Sequence, residues 1–283
     1  MTDSATRAGE LSRLSAFTRD PAGGNPAGVW IGDALPDAAS MQRIAAEVGY
    51  SETAFVAPAR GRRREIRYYS PLAEVSFCGH ATIVAGVRLG ETSGDGDYVL
   101  RATVGDVALT VGPRDGVREA ALTSVEPRWE PAPDALLTPV LDLLGWRRDE
   151  LDPAIPPARA YAGAWHLVLA AARRRRLDTL DYDFDALQRV MLDDGLTTLQ
   201  LVWRESDAVF HARDPFPVGG QVEDPATGAA AAALGGYLRE AGLVAAPHEF
   251  LIRQGEAMGR PSRLRVVVPE RGGITVAGSA VRV

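Results

Sequence analysis

The chain contains no lysine, and all 31 of its basic residues are arginine. That absence removes two function classes. A pyridoxal phosphate enzyme needs a lysine amine for its Schiff base, and a P-loop needs a lysine to reach the terminal phosphates. Cysteine is nearly absent too: Cys78 is the only one, so the chain can form no internal disulfide and is expected to build no thiolate zinc site and to hold no metal. No apolar run reaches the roughly 18 residues of a membrane span. The opening MTDSATRAGELSRL lacks the apolar core of a signal peptide, so the expectation is a cytoplasmic protein with no membrane partner. Excess positive charge is missing as well. The formal net charge of −6 gives no electrostatic footprint for nucleic acid, and the runs Arg60–Arg64 and Arg173–Arg176 read as solvated faces.

What is present is 283 residues with 46% hydrophobic content, enough for one large domain or two ordinary ones. Two segments recur at about half the chain length. GHATIVAGVRLGE and DPATGAAAAALGGYLRE share an Ala-Thr at the head of a small-residue helix, and GNPAGVWI and GAWHLVLA each set a glycine before an apolar strand. Together they point to a duplication. Asp37 is placed to cap a helix over 38–48 that stops at Gly49. SETAFVA and EIRYYSP read as strands, and DYVLRATVGDVALTVG reads as a hairpin turning at Gly105-Asp106. The proline-rich VEPRWEPAPDALL reads as the linker between halves. In the second half, strands are expected at WHLVLAA, TLQLVW and AVFHARD, with a helix over 184–193. Many strands with few helices imply an α+β architecture rather than alternating βαβ units.

Three places carry the chemistry. Glu52 opens SETAFVA, where both strand faces look apolar. Burial there would raise a carboxyl toward working pH and make it a general acid or base; the alternative is a strand-end glutamate facing water. Cys78, Gly79 and His80 begin a helix that has no strong cap. The free amides of Gly79, His80 and Ala81, with the positive end of the helix dipole, suit a carboxylate. His80 could donate to that anion or move a proton, or be a buried histidine bonded to a backbone carbonyl. Cys78 reads as a small buried side chain. Asp224 before Pro225 reads as a helix N-cap, or as an acceptor for a substrate amine or hydroxyl. If the halves are equivalent, both helix starts would serve one small polar carboxylate.

GNPAGV, SETAFV, CGHAT, EDPATGAAAAALGGYL and QGEAMGRPSRLRV occur in an order that resembles the PhzF-like family of phenazine-biosynthesis isomerases, over essentially the whole chain. The resemblance implies the diaminopimelate epimerase-like fold: two pseudo-symmetric domains, each a curled, mostly antiparallel sheet around a central helix. Here those domains are expected at 1–125 with 266–283, and at 126–265. It also implies a cofactor-free isomerase acting on a small carboxylate, and a homodimer. The family's proton shuttle falls on Glu52, with His80 and Asp224 beside it. Asn25, Cys78, Gly79, Ala81, Thr227, Gly228 and Ala229 fall on substrate-binding positions. Many relatives have serine where this chain has Ala229, so one hydroxyl contact is missing and the phenazine precursor stays open as substrate. Relatives that epimerise amino acids use two opposed cysteines, which a single thiol excludes.

The leading expectation is therefore a proton and double-bond shift in a small cyclic carboxylate or amino acid of secondary metabolism. A binding or regulatory protein that kept the fold without the chemistry is one alternative. An epimerase built on Glu52 with His80 or Asp224 is another.

Overall fold

The sequence sets the ends of the first helix, and the structure places them there. Ala38–Val48 is helical, the Asp37 carboxylate accepts from the Ser40 amide at 2.9 Å, and Gly49 ends the helix in the left-handed region at φ 72°. A glycine there avoids the cost that a Cβ meets at positive φ. The protein is described by a computed structural model covering residues 9–283. Residues 1–8, on which most of the no-leader expectation rests, lie outside it. Among the described residues no helix is long and apolar enough to cross a membrane.

The chain divides into two units, one reaching to Thr123 and including Ala277–Val283, the other Ser124–Val276. The first unit runs β1 (Gly9–Ala16), β2 (Asn25–Gly32), α1 (Ala38–Val48), β3 (Thr53–Pro58), β4 (Arg63–Tyr69), β5 (Glu74–Val75), α2 (Gly79–Ser93), β6 (Gly96–Ala102), β7 (Gly105–Arg114) and β8 (Val117–Thr123). The second runs β9 (Arg128–Pro131), α3 (Asp134–Leu144), β10 (Ala158–Tyr161), β11 (Trp165–Ala170), α4 (Arg175–Asp178), α5 (Phe184–Asp193), β12 (Thr198–Ser206), β13 (Val209–Phe216), β14 (Gln221–Asp224), α6 (Gly228–Glu240), β15 (His248–Gln254) and β16 (Ser262–Val268). Finally β17 (Thr275–Arg282) returns to pair with β1.

Both units follow one pairing plan. In the first, β1 and β2 are antiparallel, β2 and β3 parallel, and β3 and β4 antiparallel. Next β4 takes β5 antiparallel and, across α2, β6 parallel; β6 and β7 are again antiparallel. In the second, β10 to β16 repeat each of these pairings in the same order around α6. This is the diaminopimelate epimerase-like fold. The match behind the repeat is shifted by about one helical turn: Ala81-Thr82 lies inside α2, whereas Ala226-Thr227 lies before α6. Topology pairs Cys78 with Thr227, the two N-cap residues.

The central helices are buried nearly all round. In α2 every residue from His80 to Gly90 is buried, and in α6 every residue from Ala230 to Leu238. Such helices have no solvent face to mark them, and they need small side chains where strands approach. A Cβ on Gly236 would sit 2.3 Å from Pro127 Cβ. The Gly236→Ala variant is expected to lose stability. Better helix propensity returns only about 1 kcal/mol, while overpacking against a rigid ring costs about 1–3 kcal/mol or more. The net loss should lower the thermal midpoint by a few degrees, read by calorimetry; an unchanged or raised midpoint would show that the ring yields.

Four expectations need correction. The hairpin turns at Thr103 and Val104, because Ala102 already pairs with Gly105 and Asp106 with Arg101. The proline-rich stretch does follow the boundary between the units, after Thr123, but it is not a loop: it forms β9, which pairs with β10, and then enters α3. The return to the first unit falls after Val276 rather than at 266, because β16 pairs along its whole length with β15. Glu52 precedes its strand, which begins at Thr53.

Candidate active site

In the first unit the site is assembled by one turn and one helix start. Past Gly49 the chain runs through Ser51 and Glu52 into β3, pinned where the Gly28 amide donates to the Glu52 carbonyl at 3.1 Å. From this turn the Glu52 side chain reaches the start of α2, where Oε2 lies 3.4 Å from His80 Nε2. The His80 side chain is 8% exposed and the Glu52 side chain 20%, so the pair is largely withdrawn from water without being sealed. Ser51 Oγ also lies 3.4 Å from His80 Nε2. On the other side of the ring, Cys78 Sγ is 3.4 Å from Nδ1.

The neighbours of both imidazole nitrogens named here are side chains, so His80 is not the carbonyl-bound core histidine of the alternative reading. Cys78 is buried, as expected of a small side chain, yet its sulfur faces an imidazole rather than hydrocarbon.

Cys78 is the N-cap of α2 and makes no side-chain cap bond. The first intrahelical bond runs from the Thr82 amide to the Cys78 carbonyl at 3.0 Å. The amides of Gly79, His80 and Ala81 therefore lie ahead of the helical ladder. Open space surrounds the place where a Gly79 Cβ would stand, which leaves room for a ligand beside the first turn. The cap is braced from behind. Thr82 Oγ1 also donates to the Cys78 carbonyl, at 2.6 Å, and lies 2.7 Å from the Tyr68 hydroxyl, whose complete burial pushes its pKa up and keeps it neutral. Asn25 is buried at the first residue of β2, opposite Ala16.

Counting thiols excluded a cysteine-rich zinc site but passed over mixed donor sets. Glu52, Cys78 and His80 each offer one ligand atom, all within 4.8 Å of one another. One carboxylate, one thiol and one imidazole so placed can hold a proton between them or a metal ion.

In the second unit Asp224 ends β14 and is buried, but it is not the cap of α6. That position belongs to Thr227, whose hydroxyl turns away from its own helix and donates to Asp224 Oδ2 at 2.7 Å. Gln254 fixes the arrangement: its Nε2 donates to the Asp224 carbonyl at 2.8 Å and to Thr227 Oγ1 at 2.9 Å, and its Oε1 accepts from the Thr227 amide at 3.2 Å. The first bond of α6 runs from the Ala231 amide to the Thr227 carbonyl, so Gly228 and Ala229 present their amides as Gly79 and His80 do.

One acid escaped the sequence reading. Asp214 is fully buried and directly opposite Asp224 in the β13–β14 ladder. With the Gln200 amide turned to the orientation that satisfies both its ends, its nitrogen donates to Asp214 Oδ2 at 2.8 Å and Oδ1 at 3.2 Å. Burial holds the Asp214 carboxyl well above its usual range, and the neighbouring Asp224 and Glu223 charges push the same way. Two adjacent carboxylates cannot both ionise cheaply. A signal existed: along the AVFHARD strand, Asp214 shares parity with Phe210 and Ala212, an acid on an apolar face.

The model of the phenazine biosynthesis-like protein family, PhzC-PhzF, matches residues 14–283. An uncharacterized isomerase of Bacillus subtilis, YfhB, is 28% identical over 96% of this chain and 96% of its own. The trans-2,3-dihydro-3-hydroxyanthranilate isomerase of Pseudomonas fluorescens is 30% identical over 88% of this chain and 86% of its own. A PhzF-family phenazine biosynthesis protein of Bacillus anthracis has the same fold, with a TM-score of 0.84 at 23% identity over 97% of each chain.

Proposed function

The chain belongs to the PhzC-PhzF family and is an isomerase, and from that premise we propose that it moves a proton and a double bond within one small cyclic, unsaturated carboxylate, with Glu52 as the shuttle. The observation that carries the reading is the Glu52 carboxylate, largely withdrawn from solvent, 3.4 Å from the buried His80 imidazole and next to a helix start with open amides. The substrate carboxylate rests on the amides of Gly79, His80 and Ala81, which also stabilise charge that develops when a neighbouring C–H bond breaks. Glu52 accepts that proton and returns it to another carbon of the same molecule, while the π electrons shift between them. One C–H bond breaks and one forms, the oxidation state is unchanged, and so the step needs no electron acceptor. His80 orients the shuttle and the substrate's polar groups. In the second unit, Asp224 is held by Thr227 and Gln254 as a buried acceptor.

The name of the Pseudomonas fluorescens relative suggests the first substrate to try, trans-2,3-dihydro-3-hydroxyanthranilate. Missing the serine hydroxyl at Ala229, this chain is expected to prefer a substrate with one fewer polar group there. The test is turnover followed by ultraviolet absorbance, which reports a moved double bond, with product analysis after reaction in D2O. A change in absorbance at constant mass in H2O supports the reading. Loss of optical rotation with constant absorbance would replace it with an epimerase, and binding heat without any turnover of a panel of cyclic carboxylates would replace it with a binding protein.

A further inference from the structure

Tyr68 and Thr82 stand behind the start of α2, and we propose that they set how tightly it holds the substrate carboxylate, by polarising the one peptide group that joins Cys78 to Gly79. Both are positioning residues. Their effect on binding rests on the carboxylate placement proposed above; the polarised peptide itself does not.

The Cys78 carbonyl and the Gly79 N–H belong to the same peptide group. That group is planar and trans, so the two point in opposite directions. The carbonyl faces along the helix, where it accepts from the Thr82 amide at 3.0 Å and from Thr82 Oγ1 at 2.6 Å. The N–H faces the other way, out of the helix start and ahead of its ladder. Two donors on the carbonyl draw charge to its oxygen and make the N–H across the same bond a stronger donor.

The bonds behind it have one direction. Thr82 Oγ1 carries a single proton, and it goes to the Cys78 carbonyl. Toward the Tyr68 hydroxyl, 2.7 Å away, Thr82 can therefore only accept, so the phenol donates. Burial pushes the Tyr68 pKa up, which keeps that proton in place. The relay runs from the Tyr68 hydroxyl through the Thr82 hydroxyl and the Cys78 carbonyl to the Gly79 N–H. Tyr68 and Thr82 are both buried, so water does not compete for either bond, and Phe77 packs edge-on against the Tyr68 ring at 5.8 Å.

A threonine inside a helix commonly bonds back to the carbonyl four residues earlier. Two features distinguish this one. The carbonyl it meets lies at the N-cap, so the N–H of that peptide is not spent on the helix. A buried phenol also stands behind the hydroxyl and strengthens it as a donor. The relay favours an anion over a neutral group of the same shape, because a polarised N–H gains most against full negative charge.

Cys78 is the only cysteine and Gly79 follows it, so one peptide can be watched alone. A full-length chain labelled with carbon-13 at the cysteine carbonyl and nitrogen-15 at glycine gives a single amide-to-carbonyl correlation in the magnetic resonance spectrum. The probe is cyclohex-1-enecarboxylate, with its uncharged carboxamide as control. In the parent the carboxylate should move the Gly79 proton downfield, and the carboxamide should move it less. Without ligand, the Cys78 carbonyl carbon should move upfield in Tyr68→Phe, further upfield in Thr82→Val, and stay in place in Thr82→Ser, which keeps the hydroxyl. Calorimetric affinity for the carboxylate should fall about twofold in Tyr68→Phe and about fivefold in Thr82→Val, in keeping with roughly 10–30% strengthening per relayed bond, and return in Thr82→Ser. Should Thr82→Val misfold, Tyr68→Phe and Thr82→Ser decide. A purely structural Tyr68 would leave the carbonyl carbon of Tyr68→Phe where the parent has it, and that result overturns the relay. Equal affinity for the carboxylate in the parent and Tyr68→Phe overturns its part in binding. A parent whose carbonyl responds to Tyr68→Phe but whose Gly79 proton ignores the carboxylate overturns the carboxylate placement instead, and leaves the polarised peptide standing.

Discussion

The Glu52→Gln variant is expected to fold and bind as the parent does and to turn over about 10²–10⁴-fold more slowly, the usual worth of a positioned general acid–base group. The exchange keeps the size of the side chain and an oxygen toward His80, and removes only the ability to take a proton from carbon. The loss should therefore appear in kcat, with KM and the calorimetric affinity little changed. Glu52→Asp gives the complementary measurement. It keeps the base and withdraws it by one methylene, so it should fall between the two, since a displacement of about 1 Å can cost on the order of 10²-fold. Turnover within tenfold of the parent in Glu52→Gln would take the shuttle role away from this residue.

The second large effect is on acid stability, and it originates far from the chemistry in sequence. His166 is fully buried on β11, with Nδ1 2.8 Å from Thr198 Oγ1 on the parallel neighbour β12. Its Nε2 is buried without a hydrogen-bond partner in the structure. Burial pulls its pKa down from 6.5 to about 3. Unfolded, the imidazole takes up a proton below its ordinary pKa of about 6.5, while the folded ring stays neutral to far lower pH. Its contribution is thus complete above pH 6.5 and is lost as pH falls through the window down to about 3. By pH 5 the loss is about 2 kcal/mol.

Asp214 tilts the other way. Its carboxyl is held well above the usual range, so the stability it contributes is present below the unfolded carboxylate pKa and lost as pH rises through the folded one. Comparing the parent with His166→Gln isolates the histidine. Urea midpoints measured from pH 7.5 to 4 should fall more steeply with acid in the parent, and parallel curves would show that His166 protonates without unfolding.

Local rules made much of this molecule legible. Asp37 and Gly49 bracket α1 because a carboxylate cap and a left-handed glycine act within a few residues, and the span 184–193 follows from periodicity with Asp183 at its head. Glu52, Cys78 and His80 were legible as a group only through the motifs, and the structure brings all three together. What failed was long-range. The strand at Arg128–Pro131 depends on β10, a partner about thirty residues on, so Pro131, which would signal a loop, sits on a paired strand with Pro127 and Pro133 just outside it. Asp-Pro is the local signature of a helix cap at Asp224, but Gln254, distant in sequence, holds Thr227 at that position instead. Asp214 is hidden in the sequence because alternation marks a strand without telling which of its faces is sealed from water.

The shared plan of the two units also shows where they part company. At the head of α2 the capping position is a thiol, and at the head of α6 the matching position is the Thr227 hydroxyl, already engaged by Asp224 and Gln254. One half has a sulfur there and the other a scaffold bolt. The chain is thus a single codon change, T227C, from carrying mercaptans at both caps, and that change would also unfasten the aspartate beside it.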